Sequence, residues 1–213
     1  MLPLRSKTDP RWIELATSRF DEVIVDHAHC EKKAAASAMA LVTAYPDHDL
    51  LVKRLARLAH EELRHFRQVY DRISARGLKL SKDEGDPYVQ SLIRLVRTTP
   101  AERRMDRLLV SALVEARSCE RLELLSEALE DPELRSFYAT LARAEAGHHT
   151  LFVDLAATYA PQERSGAPPR SAGRGGGGDR GRATARAADP LTSTPIGTHR
   201  AAAHPVVARS RGD

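Results

Sequence analysis

Two glutamates in this chain are followed three residues later by histidine, Glu62–His65 and Glu145–His148, and each pair trails another glutamate by about thirty residues. Glu31 precedes Glu62 by 31 positions and Glu115 precedes Glu145 by 30. A spacing of three places Glu and His about 60° apart around an α-helix, so both side chains reach one point. All four glutamates interrupt apolar stripes of helical period. The stripes run Phe20, Ile24, His27, Glu31, Ala34, Ala38, Leu41; then Leu55, Leu58, Glu62, His65, Val69, Ile73; then Leu108, Ala112, Glu115, Cys119, Leu122, Leu129; and last Leu134, Tyr138, Leu141, Glu145, His148, Phe152, Leu155. Four helices that each carry an acid midway along the buried face must bring those acids into one interior.

Such an interior needs counter-charge. An uncompensated carboxylate in a dry core costs several kcal/mol after relaxation, so four together would unfold a small domain. Two divalent cations cancel four carboxylates, and two neutral imidazoles complete the shell. The expected metal ligands are Glu31, Glu62, His65, Glu115, Glu145 and His148, arranged as in di-iron bundles, where two helices give a Glu and two give Glu-x-x-His. Oxygen-rich ligation with one imidazole per metal suits iron, then manganese, better than zinc or copper. A reduced centre of this kind activates O₂.

Neighbouring residues compete for these roles. Glu61 with His65, or Glu145 with His149, has a spacing of four, but a spacing of three keeps Glu62 on the Leu55–Val69 stripe. Glu120 lies about 140° round its helix from Glu115 and breaks the correspondence between the two halves. His60-Glu61 begins like a zinc-protease motif, yet the second histidine falls at 65 instead of 64. His27, one turn before Glu31, reads either as a residue beside the ligands or substrate, or as a satisfied core histidine. Cys119, one turn past Glu115, reads as core packing or as part of a pocket. Cys30 reads as a small buried residue.

Helix-start signals delimit the elements. Asp9-Pro10, Asp86-Pro87, Thr99-Pro100 and Asp131-Pro132 each put a capping side chain before proline at the first helical position. Glu102 offers Thr99 a capping box, and Asp47 follows Pro46, which stops the preceding helix. Gly77 and Gly85 punctuate the central loop. These signals predict a short first helix from Pro10, long helices over about 20–45, 48–76, 101–129 and 132–160, and a short helix near 87–98. Tight connections within each half and one long connection between them predict an all-α, ferritin-like four-helix bundle whose long crossover carries a short helix.

Composition separates this domain, 1–160, from the C-terminal remainder of the chain. Residues 161–213 hold nine Arg and no Lys against four acids, a net of +5 within a chain of +4, so 1–160 carries −1. Four consecutive glycines at 175–178, scattered Pro and no apolar period predict a disordered tail. Two origins fit that composition: a basic extension attracting RNA through its arginines, or an altered reading frame of GC-rich DNA. No run of 18 apolar residues and no signal-peptide core is present, which predicts a cytoplasmic chain with its two cysteines as thiols.

The stretches Asp26-His27-Ala28-His29-Cys30-Glu31-Lys32-Lys33-Ala34-Ala35, His60-Glu61-Glu62-Leu63-Arg64-His65-Phe66, Glu115-Ala116-Arg117-Ser118-Cys119-Glu120-Arg121 and Glu145-Ala146-Gly147-His148-His149 resemble the tRNA 2-methylthio-N6-isopentenyladenosine hydroxylases over about residues 10–160. The resemblance implies a non-haem di-iron enzyme of the bacterial cytoplasm. It would insert one oxygen atom of O₂ into the isopentenyl group of a hypermodified adenosine beside the anticodon, with electrons from a separate reductase system. The family's ligand positions fall on the six residues already named. The resemblance also makes Lys32, Lys33, Arg117 and Arg121 candidate contacts to tRNA phosphate, although Arg117 and Arg121 are equally placed to pair with Glu120 and Glu123. Family members continue in helical sequence past the fourth long helix, whereas this pattern dissolves near Pro161. A monomer or small oligomer is expected; the alternative, an iron-storing or peroxide-consuming ferritin-like protein, requires a shell-forming oligomer.

Overall fold

The structure, a computed structural model, describes residues 4–160; the tail at 161–213 lies outside the described residues. Six helices are present among them: α1 (Arg11–Ser18), α2 (Phe20–Ala44), α3 (Asp49–Ala75), α4 (Pro87–Ile93), α5 (Pro100–Ala128) and α6 (Pro132–Thr158). No strand occurs in this part. The capping chemistry acts where the sequence places it at two starts. Asp86 accepts from the amides of Tyr88 and Val89, and Asp131 from those of Glu133 and Leu134, ahead of proline in each case. At the end of α3, Gly77 adopts φ 71°, while the amide of Leu78 reaches the carbonyl of Ile73. Only a residue without Cβ takes that left-handed turn cheaply.

Four boundary expectations change. The cap of α1 is Pro10 instead of Asp9, and no side chain closes it, the Asp9 carboxylate accepting from the Arg11 amide. The cap of α3 is His48 instead of Asp47, and no side chain closes it; the His48 ring is engaged by Arg104 and by Tyr159 instead. Thr99 forms no side-chain cap; its hydroxyl bonds the carboxylate of Glu102 directly. The crossover helix stops at Ile93 instead of 98. There Arg97 is drawn to the start of α5, its backbone and guanidinium both bonded to Asp106, and Thr99 is extended at ψ 140°, as a residue before proline prefers.

α2 packs along α3 and α5 along α6; the two hairpins meet through α3 and α6, with α1 and α4 laid against α5. The apolar core is split in two. At one end Trp12, Phe20, Ile24, Val69, Ile73, Leu122, Leu125, Tyr138 and Leu141 pack together. At the other, Leu41, Leu51, Leu55, Leu58, Leu108, Phe152 and Leu155 do so. Burial of each such aliphatic side chain contributes about 1.5–3 kcal/mol, and that apolar stabilisation at both ends offsets what lies between them.

Candidate metal centre

Between the two cores each long helix turns an ionisable side chain inward. Glu31 comes from α2, Glu62 and His65 from α3, Glu115 from α5, and Glu145 and His148 from α6, and all six are buried. Their ligand atoms fall into two sets, each within 4.8 Å: Glu31, Glu62, His65 and Glu145, and then Glu62, Glu115, Glu145 and His148. Glu62 and Glu145 belong to both sets. The two oxygens of Glu62 divide accordingly, one 3.3 Å from His65 Nδ1 and the other 2.9 Å from His148 Nδ1. The imidazoles lie side by side, with ring centroids 5.7 Å apart. The three-residue spacing read from the sequence therefore sends each Glu-x-x-His inward as a unit, and tertiary packing makes its glutamate the shared member.

Electrostatics inside the cage are unequal. Burial alone would raise Glu31, but bonds from His27 and His65 hold it below the usual carboxylate range. Glu115 and Glu145 share a hydrogen bond that raises Glu115 and lowers Glu145; burial, together with the other carboxylates of the cage, still keeps both well above that range. Burial opposes charge on His65 and His148, yet facing carboxylates raise each to about 9. Protons thus balance the cage in the absence of cations. Glu62 Oε1 and His148 Nδ1 point into the same space with no directional hydrogen bond despite their 2.9 Å approach. Orphaned buried donor atoms converging on one space, in a set rich in oxygen with one imidazole per group, fit two divalent cations.

The residues round the cage sort differently from the sequence expectations. His27 Nε2 bonds Glu31 at 2.7 Å, and its ring lies 5.5 Å from that of Tyr138, so it stands directly behind a cage residue. Cys119 is buried but belongs to neither ligand set; burial and Glu123, 3.7 Å away, push its thiol to about 12. His149 reaches the carbonyl of Ala112 at 2.8 Å, and Glu120 holds Thr8 and Arg117. Cys30 is half-buried, more open than expected.

Of the four candidate phosphate contacts, burial takes the two arginines from the surface, while the two lysines remain at it beside an acid. Arg117 is buried, bonding Thr8 and the carbonyl of Ser6 as well as Glu120. Arg121 is buried with its guanidinium over Trp12. Neither is presented to a ligand in solution. Lys33 pairs with Asp83 of the crossover at 3.1 Å; Lys32 comes within 3.9 Å of the same carboxylate and reaches His29 of its own helix at 2.9 Å.

Glu61, weighed in the sequence only as a rival ligand, has another place: its Oε2 lies 3.6 Å from His148 Nε2, the nitrogen turned away from the cage. A carboxylate there favours the tautomer that leaves Nδ1 free for a metal. The signal was its position one residue before Glu62, about 100° round α3 toward α6.

Residues 2–166 match the family model described as tRNA-(MS[2]IO[6]A)-hydroxylase (MiaE). A relative from Pseudomonas putida, tRNA 2-(methylsulfanyl)-N(6)-isopentenyladenosine(37) hydroxylase, is 40% identical over 152 residues, covering 71% of this chain and 74% of the relative. A Salmonella typhimurium protein of the same name is 34% identical over 140 residues, 66% of this chain and 51% of its own length, so the match spans about half of that relative. Among solved structures, one described as Protein 43 with aldehyde deformylating oxygenase activity, from Synechococcus, superposes with a TM-score of 0.72 at 41% identity, covering 75% of this chain and 80% of that one.

Proposed function

Because the chain belongs to the tRNA-(MS[2]IO[6]A)-hydroxylase family, we propose that it is a tRNA-modifying monooxygenase that hydroxylates the isopentenyl group of 2-methylthio-N6-isopentenyladenosine beside the anticodon, using O₂ and external electrons. The observation that carries the reading is the cage in which two buried ligand sets share Glu62 and Glu145. Glu31 and His65 would hold one iron, Glu115 and His148 the other, and the shared glutamates would bridge them. Two irons, when bound, supply the reductive activation of O₂ that oxygenation of an unactivated methyl group requires.

The chain's own residues set the conditions for that chemistry. The two apolar cores close the cage at both ends and keep bulk water from it. His27 fixes one oxygen of Glu31, leaving the other toward His65. Glu61, 3.6 Å behind His148, acts on its ring through charge without a hydrogen bond. Metal binding would displace protons from Glu115, Glu145, His65 and His148. An electron-donating reductase, a cytoplasmic location and a monomer or small oligomer belong to the same proposal. No helix among the described residues is long and apolar enough to cross a membrane.

The test is chemical. Purified protein reconstituted with iron is given tRNA bearing the isopentenyl adenosine, a reductant and O₂, and the nucleosides are then separated by mass. A gain of one oxygen on that nucleoside is expected; its absence with two irons bound rejects the substrate. The similarity to the Synechococcus oxygenase makes a long-chain aldehyde the informative second substrate, and conversion of aldehyde with no tRNA product would replace the reading.

A further inference from the structure

α3 presents two faces with opposite characters. Toward the cage it turns Glu62 and His65, between Leu55, Leu58, Val69 and Ile73. The opposite side carries Lys53, Arg57, His60, Arg64 and Arg67, at intervals of four, three, four and three residues, and all five are exposed. Those intervals keep them on one stripe about 21 Å long, at 1.5 Å per residue. The charge is concentrated on this helix. α3 has six Lys and Arg against four Asp and Glu, one of the acids being Glu62 inside the cage. α2, α5 and α6 each have more acids than bases.

Pairing sharpens the contrast. Among the described residues Arg19, Arg76, Arg97 and Arg117 are committed to carboxylates. Lys53, Arg57 and Arg67 make no ion pair there, and within the stripe Arg64 alone is engaged, with Glu61 at 3.2 Å. Along one flank, Leu63 is 53% and Tyr70 42% exposed, with Tyr70 stacked on Phe66 at 5.9 Å. Unpaired cations along a line, edged by an exposed ring and an aliphatic side chain, combine attraction for a phosphate backbone with surfaces on which bases stack. A near-neutral domain that gathers free cations on one helix face creates a local positive field there.

We propose that the outward face of α3 is the surface on which this protein docks tRNA, with Lys53, Arg57 and Arg67 contacting the sugar–phosphate backbone. The proposal rests on the tRNA reading above. Since Glu62 faces the other way on the same helix, the stripe anchors the RNA and does not itself present the base to the cage. It takes the place of the buried Arg117 and Arg121 and of the paired Lys33.

The experiment uses the full chain loaded with iron and a fluorescently labelled tRNA carrying the isopentenyl adenosine. The dissociation constant is measured across a series of NaCl concentrations for the wild type, for the triple variant Lys53→Gln/Arg57→Gln/Arg67→Gln, and for Arg135→Gln/Arg143→Gln on α6. The triple variant is expected to weaken binding at least roughly tenfold at about 0.1 M salt. It should also reduce the slope of log affinity against log salt by about 2–3, at about 0.7–0.9 per lost phosphate contact. Iron content and helical circular dichroism should match the wild type, and the α6 variant should stay within about twofold. A triple variant with wild-type affinity and slope overturns the docking surface and leaves the tRNA reading intact, placing RNA attraction elsewhere in the chain. Failure of the wild type to bind tRNA overturns both. Polyglutamate of equal charge bound as tightly as tRNA overturns the assignment to RNA.

Discussion

The two halves of the cage are built on one plan and held differently. In the α2–α3 half, Glu31 is preceded four residues earlier by His27, which bonds it at 2.7 Å and keeps it ionised. In the α5–α6 half, the position four before Glu115 is Ser111, and Glu115 is held protonated by burial beside Glu145. The asymmetry reverses one layer out. Glu61, just before Glu62, backs His148 of the other half, whereas Ala144 stands before Glu145 and offers His65 nothing. The plan repeats in the ligands and departs from repetition in what surrounds them. One candidate metal position would thus be charged in advance through its carboxylate, and the other biased by the charge behind its histidine.

The largest effect should come where the halves are not separable. Glu62→Ala or Glu145→Ala removes a member of both ligand sets and is expected to lower bound iron from about two per chain to near none, with hydroxylation lost. Glu31→Ala and Glu115→Ala should each retain about one iron while also abolishing product. Metal analysis beside turnover decides it, and a shared-glutamate variant holding as much iron as a terminal one breaks the bridging arrangement.

The next effect tests the asymmetry itself. His27→Ala should weaken iron binding at one position by about 10–100-fold, the usual cost of removing a group that orients a ligand. Ser111→Ala, at the matching place in the other hairpin, should change neither position by more than about twofold. Equal losses in competitive metal titrations would show the halves to be equivalent after all. Glu61→Gln should act on the opposite position from His27→Ala.

Acidity gives a smaller signal of known sign. His65 and His148 are raised to about 9 from an ordinary value near 6.5. Their charged forms stabilise the metal-free fold fully below the unfolded value, and this is lost as pH rises through about 9. The raised acids Glu115 and Glu145 act in the same direction, contributing below 4.5 and losing that contribution on ionisation. Glu31 acts oppositely, contributing above 4.5 and losing it only under strong acid. Thermal unfolding of metal-free protein should therefore show a Tm that falls between about pH 6.5 and 9, while the iron-loaded form stays flat or rises. A metal-free Tm that climbs over that interval contradicts the proton-balanced cage.

The smallest effect concerns Tyr138, wholly buried beside His27 with no hydrogen-bond partner for its hydroxyl. Tyr138→Phe should be neutral or stabilising by about 1 kcal/mol, since the desolvated hydroxyl costs about 1–3 kcal/mol when unpaired. Denaturant unfolding measures it, and a loss of more than about 1 kcal/mol would mean the hydroxyl is satisfied within the α2–α3 half.

What the sequence determined by itself was whatever depends on direction around a single helix axis. The 3.6-residue period placed Glu31, Glu62, His65, Glu115, Glu145 and His148 inward, and cap–proline pairs at Asp86 and Asp131 set two helix starts. Charge neutrality then demanded cations or protons for the acids, because four buried ionised carboxylates are not stable alone. Tertiary structure decided what depends on neighbours distant along the chain. Glu62 and Glu145 came to stand in both candidate ligand sets only when the hairpins met through α3 and α6. Arg117 was buried by Ser6 and Thr8, more than a hundred residues away, and Lys33 was claimed by Asp83 across the crossover. Periodicity reports which way a side chain points, whereas burial, pairing and sharing are fixed by what another segment places in front of it. For that reason the six inward residues were legible in advance, while the uneven surroundings of the two candidate sets and the free cationic face of α3 were not.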